Sequence, residues 1–122
     1  MKPEGAPDRV RVGLFDYHFV WHEGTWSVGN QSYGTCDFTT LTIDLNGNLP
    51  RQRLASSFEH EVTHAGLDAL GYCSSGEKAE LSPEDVCIFN SKFWPMFWRD
   101  NPEALKWWLS PLAKEDVDAH KP

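Results

Sequence analysis

Arg51-Gln52-Arg53-Leu54-Ala55-Ser56-Ser57-Phe58-Glu59-His60-Glu61-Val62-Thr63-His64-Ala65-Gly66-Leu67-Asp68-Ala69-Leu70-Gly71 decides the fold. Leu54, Phe58, Val62, Ala65 and Ala69 recur at spacings of three and four, the period of a helix with one apolar face. Pro50 stands where a first turn tolerates a missing N–H, Asn48 or its neighbour is placed as the cap, and Gly71 as the C-terminal stop. The spacing predicts a helix over 51–70. Immediately upstream the period is two: Thr39, Leu41, Ile43 and Leu45 share one face, with Thr40, Thr42 and Asp44 on the other. This predicts a half-buried strand over Thr39–Leu45, ended by Asn46-Gly47-Asn48.

Working outward, Val10, Val12 and Leu14 alternate with Arg11 and Gly13, and then Tyr17, Phe19 and Trp21 take over the apolar face. A slip of one residue exchanges the faces of a strand, so a turn or bulge is expected near Phe15-Asp16. Trp26-Ser27-Val28 reads as a further short strand. On the C-terminal side, Ser82-Pro83-Glu84-Asp85 combines an N-cap, a proline at the first helical position and an acid three residues after the cap. Val86, Phe89, Phe93 and Phe97 continue it as a helical face. Pro95 is expected to kink or break that helix, because it lacks a donor and crowds the preceding turn. A short helix restarts at Asn101-Pro102-Glu103 and runs to about Leu109. The whole reads as one α+β domain over 1–122: a short antiparallel sheet packed on the 51–70 helix, with a second helix C-terminal to it. Residues 1–9 and 112–122 read as flexible.

The chain has 122 residues and a formal net charge of −7, one domain's worth of ordinary globular composition. The acidic balance argues against sequence-independent binding to nucleic acid or anionic membrane, which need a basic surface. No apolar leader opens the sequence and no run approaches a membrane span. Cys36, Cys73 and Cys87 are odd in number and form no C-x-x-C pair. They suit reduced thiols in a cytoplasm better than a disulfide framework or a zinc ribbon.

One constellation carries chemistry. His60-Glu61-Val62-Thr63-His64 is H-E-x-x-H in the middle of the best-marked helix. Four residues are slightly more than one turn, so both imidazoles leave the helix on one side and can meet one metal ion. Zn2+ is the expected ion, since two neutral imidazoles, a carboxylate and a water make an open tetrahedral site. Glu61 is about 100° round the helix from His60. It would flank the ion and serve as general base toward the attacking water. The plain alternative is an amphipathic helix with two surface histidines and a solvated glutamate.

A carboxylate from the next helix would complete the ligand set, because the continuation with a third nearby histidine is missing and His120 lies in the tail. Glu84 is the preferred candidate, with Asp85 and Glu80 as alternatives. Asp85 can instead complete the cap with Ser82, and acids in a first turn also suit the helix dipole. His18 and His22 share a strand face, read as exposed and opposite an aromatic core face; His22 and Tyr72 are further candidates for an oxyanion donor. Six tryptophans could line a peptide groove, but core filling explains most of them.

Gly34-x-Cys36-Asp37 before Leu41-x-Ile43, then Phe58-Glu59-His60-Glu61-x-x-His64-Ala65, Ser82-x-Glu84-Asp85-Val86 and Arg99-Asp100-Asn101-Pro102 with Trp107-Trp108, resemble the small zincin-like metallopeptidases of bacteriophages and prophages. That family is similar in its core to the ImmA/IrrE-type metallopeptidases. The resemblance covers roughly residues 10–109. It implies a zincin-like domain, zinc held by His60, His64 and a glutamate near 84 in gluzincin fashion, Glu61 as general base, and the cytoplasm of a bacterial host. The expected function is zinc-dependent hydrolysis of a peptide bond in a peptide or protein substrate, with Thr39–Leu45 as the sheet edge that an extended substrate pairs with. Two rivals stand beside it: a non-catalytic zinc-stabilised protein that binds a host protein, and a zinc hydrolase of a non-peptide substrate.

Overall fold

The computed structural model describes residues 2–23, 33–72 and 80–110. Within them the order is β1 (Arg9–Val12), β2 (Phe15–His22), β3 (Gly34–Asp37), β4 (Thr42–Asn46), α1 (Arg51–Ala69), α2 (Pro83–Asp100) and α3 (Pro102–Leu109). The α+β class is as expected. The sheet is mixed, not antiparallel throughout: its order is β1-β2-β4-β3, and the inner pair β2–β4 runs parallel, His18 opposite Thr42 and Trp21 opposite Leu45.

The change of phase in the first strands is a hairpin. Val12 pairs with Phe15, so of the turn or bulge expected near Phe15-Asp16 it is a turn, of two residues, at Gly13-Leu14. Gly13 has φ of +62° and Leu14 is not in the left-handed region, the pattern of a type II′ turn. Leu14, apolar in the sequence pattern, is 70% exposed at the tip. The expected Trp26–Val28 strand and the 112–122 tail lie outside the described residues. The segment before β1 is anchored: Ala6 is buried, Asp8 accepts from the Phe19 N–H at 2.8 Å through its carbonyl, and the Pro7 carbonyl accepts from the Trp21 indole at 3.0 Å.

The strand expected from Thr39 begins at Thr42. The Asp37 carboxylate accepts from the N–H groups of Thr39 and Thr40, folding 38–41 into a turn that Leu41 leaves with φ of +54°. β4 is also an inner strand; β3 is the outer one on that side.

α1 ends where Gly71 placed it. Gly71 takes φ of +80°, its N–H bonds the Asp68 carbonyl and the Tyr72 N–H the Leu67 carbonyl, a complete Schellman stop. At the other end Pro50 itself occupies the N-cap position, with no side-chain cap. α2 starts with the full capping box, Ser82 Oγ accepting from the Asp85 N–H and the Asp85 carboxylate from the Ser82 N–H. The expected break at Pro95 does not occur: α2 runs through it. Phe93 and Phe97, one on either side of Pro95, are both buried, and that packing outweighs the lost bond to the Ser91 carbonyl.

The core lies between one face of the sheet and the three helices. Val10, Val12, Tyr17, Phe19, Ile43 and Leu45 come from the strands, Leu54, Phe58, Val62 and Ala65 from α1, Phe89, Phe93 and Phe97 from α2, and Trp107 from α3. Phe58 joins all layers, its ring centroid 5.2 Å from those of Phe19 and Trp107 and 6.4 Å from that of Phe97. The Asn101 side chain at the α2–α3 junction clasps β1: its Oδ1 accepts from the Arg11 N–H and its Nδ2 donates to the Arg11 carbonyl, each at 2.8 Å.

Candidate metal centre

The rotation of α1 follows from its apolar stripe. With Leu54, Phe58, Val62 and Ala65 held against the core, a step of about 100° per residue turns His60 and His64 outward and leaves Glu61 at the margin of the buried face. His60 and His64 are exposed and Glu61 is buried. The two imidazole centroids are 5.0 Å apart at 71°. One ligand atom from each of His60, Glu61 and His64 lies within 4.8 Å of the others, and His60 Nε2 is 4.0 Å from Glu61 Oε2.

Glu61 sits under β3. A Cβ on Gly34 would come within 3.2 Å of its Cγ, and the half-buried Cys36 is close enough to feel its charge. Burial pushes the Glu61 carboxyl above the ordinary carboxylate range, while His60 pulls it part of the way back. Although His64 is exposed, partial desolvation of its ring where it lies against α1, and His60 second, lower its pKa from the usual imidazole value, so it stays neutral further into acid. Burial pushes the Cys36 thiol up to about 12, with Glu61 the next cause.

The histidines face a shallow cleft of about 340 Å³ lined by Ser56, Glu59, His60, Thr63, His64 and Leu67. On the other side of Glu59 is a second hollow of about 260 Å³ walled by Trp94, Trp98 and Trp108. Trp108 is tied to α1 by its indole N–H, which donates to the Ala55 carbonyl at 2.9 Å.

Glu84 is not part of the His60–Glu61–His64 group. α2 runs back along α1 in the opposite sense, Phe97 at Phe58, Phe93 against Gly66 and Phe89 at Tyr72. Glu84 is roughly two and a half turns, about 13 Å of helix, beyond Phe93, exposed past the end of α1. The Asp85 carboxylate is engaged in the cap. Glu80 is exposed and likewise stands outside the group. His120 lies outside the described residues.

The oxyanion candidates are placed elsewhere. His18 and His22 project from the sheet face opposite the helices, as their alternation implied, and His22 Nε2 bonds the Asp44 carboxylate at 2.7 Å. Tyr72 packs edge-on against Phe89, 5.6 Å between centroids. Gly34 and Glu59 are the neighbours of the site that sequence reasoning missed. The close approach of Gly34 to Glu61 is set by the packing of β3 on α1, and the place of Glu59 between the two hollows by the packing of α2 and α3 against α1; no local pattern marks either. The chain matches no family model, no curated protein and no solved structure.

Proposed function

We propose that the chain is a zinc-dependent peptidase that hydrolyses a peptide bond in a protein or peptide substrate, with His60 and His64 as metal ligands and Glu61 as general base. The observation that carries this reading is the grouping of two outward imidazoles with one buried carboxylate inside 4.8 Å, on a helix held rigid by the core. The donor set fits Zn2+: two imidazoles offer borderline nitrogen donors at i and i+4, and the depressed His64 pKa keeps a lone pair available near neutrality. A zinc ion bound there supplies Lewis acidity toward water and toward a scissile carbonyl.

The chain's own residues do the rest. Glu61 accepts the proton of the attacking water and returns it to the departing amine nitrogen. Its partial desolvation beneath β3 raises its basicity, which suits a base working near neutral pH. The outer strand β3, not β4, is the edge beside this glutamate, and an extended substrate that paired with it would run along the rim of the cleft. The resemblance to phage zincin-like metallopeptidases and the placement in a bacterial cytoplasm belong to the same proposal. No helix among the described residues is long and apolar enough to cross a membrane.

One observation favours a second reading. The third donor atom grouped with the imidazoles is that of Glu61 itself. If Glu61 ligates the ion, the site stabilises an interaction domain and catalyses nothing. Glu61→Gln separates the two. On the peptidase reading it abolishes cleavage of a casein substrate by zinc-loaded protein and leaves about one zinc per chain. Loss of zinc together with Glu61, or unchanged cleavage, overturns that reading.

A further inference from the structure

We propose that the hollow walled by Trp94, Trp98 and Trp108 beside Glu59 is a specificity pocket for a basic side chain, lysine or arginine, of the peptide substrate. This rests on the peptidase reading and adds the substrate class to it. Three features of the molecule converge on a long cation.

The walls come first. Trp94 and Trp98 stack with centroids 5.5 Å apart at 29°, and Trp108 continues the row 5.5 Å from Trp98 at 40°. All three are half-buried, so their apolar bodies are fixed while part of each ring faces the hollow. Indole is the side chain whose face attracts a cation best. The Trp108 indole N–H is already spent on the Ala55 carbonyl, which holds that ring in place at the wall of the hollow.

The charge comes second. Glu59 is the polar side chain among the residues lining the hollow, and it is exposed. A neutral apolar side chain would use the rings and desolvate the carboxylate to no gain; an acidic one would be repelled. A guanidinium or ammonium uses both. The net charge of −7 works in the same direction at long range.

The reach comes third. Glu59 lines both this hollow and the histidine cleft, so the two are neighbours on the surface of α1. On α1 it is about 100° round from His60, on the side away from Glu61 and β3. A peptide lying over the histidines must send a side chain across the helix to fill the hollow. Lysine and arginine are long enough to do so and carry the charge at the tip.

The test uses full-length zinc-loaded protein with 15N-labelled indoles and three acetylated, amidated pentapeptides: alanine throughout, or with a central arginine or a central glutamate. The arginine peptide is expected to shift the Trp94, Trp98 and Trp108 indole resonances, and Glu59→Gln to weaken its binding about tenfold. Glu59→Lys is expected to abolish it. Equal binding of the alanine peptide, or shifts confined to other indoles, overturns the pocket. Trp98→Leu serves as a second variant: retained affinity for the arginine peptide there also overturns it. Cleavage of a random octapeptide mixture separates this proposal from the one beneath it. Binding of the arginine peptide to the pocket with no octapeptide cut upholds the pocket and removes the peptidase. Cleavage without enrichment of lysine or arginine near the cut bond upholds the peptidase and removes the pocket.

Discussion

Gly34 of the outer strand β3 lies directly on Glu61 of α1: a Cβ placed on Gly34 would sit 3.2 Å from the Glu61 Cγ, 2.8 Å from the Asp44 carbonyl oxygen and 2.7 Å from Leu45 Cδ2. Two of those neighbours are backbone and packed core, which cannot move aside cheaply. The third is the flexible stem of the proposed base. Gly34→Ala should therefore cost stability of about 1–3 kcal/mol, the range for overpacking, and should push the Glu61 carboxylate away from the imidazole pair. Urea unfolding measures the first effect. For the second, cleavage is expected to fall more than zinc content, since the histidines themselves are untouched.

That contact shows where sequence reading stops. The helix was legible because five apolar residues repeat at the helical period and Gly71 has the role its position suggests; 51–70 differs from the observed Arg51–Ala69 by one residue. The capping box at Ser82 was legible for the same local reason. What could not be read is set by partners distant in sequence. The parallel pairing of β2 with β4 depends on β3 being placed outside them. Leu14 is an apolar letter that a hairpin carries to its exposed tip. Pro95 has the local chemistry of a break, and the burial of Phe93 and Phe97 overrides it. The histidine pair is a matter of spacing on one helix and so is legible; Gly34 above Glu61, and the tryptophans beyond Glu59, are tertiary facts.

Zinc binding should separate the histidines from the expected third ligand. His64→Ala is expected to lose the metal. Glu84→Ala is expected to keep it, because Glu84 is exposed roughly 13 Å of helix beyond the Phe93–Gly66 contact. Elemental analysis of the purified variants decides, and loss of zinc in Glu84→Ala would show that α2 moves to bring that carboxylate in. The pH dependence has a definite sign. A zinc ligand must be neutral imidazole, and partial desolvation with the neighbouring His60 lowers the His64 pKa, so protons compete later than at a free histidine. Occupancy is expected to persist below the ordinary imidazole midpoint of about 6.5, as measured by dialysis against buffered zinc at stepped pH.

Thiol reactivity reads the charge of Glu61 from the other side. Thiolate, not thiol, is alkylated, and a pKa pushed up to about 12 at Cys36 leaves it almost wholly protonated at pH 8. Cys87 is exposed on α2. Iodoacetamide is expected to label Cys87 and spare Cys36, with the sites mapped by peptide mass. Glu61 is the largest cause of the Cys36 shift after burial. Glu61→Gln should accordingly speed labelling of Cys36 and leave Cys87 unchanged. Equal rates at Cys36 in wild type and variant would mean that the ionised carboxylate does not face β3.

Asn101 joins the helical layer to the sheet through three bonds made by one side chain. Its Oδ1 accepts from the Arg11 N–H at 2.8 Å, and its Nδ2 donates to the Arg11 carbonyl at 2.8 Å and to the Phe97 carbonyl at 2.9 Å. The first two occupy the outer edge of β1, so the amide also blocks a place where another strand could pair. At about 1 kcal/mol for each bond, Asn101→Ala should cost about 2–3 kcal/mol in urea unfolding. Asn101→Asp is the sharper test. It keeps the acceptor, loses both donors, and sets a carboxylate against two carbonyl oxygens, so it should cost at least as much at neutral pH. Those oxygens raise the new carboxyl's pKa in the folded state, because only the protonated form can donate to them. A raised folded pKa contributes stability that is present below the unfolded value and lost as pH rises through the folded one. The aspartate variant should therefore approach wild type as pH falls below about 4, while the alanine variant keeps its deficit. A constant gap between the two across that range would show that the amide's donors do not hold β1.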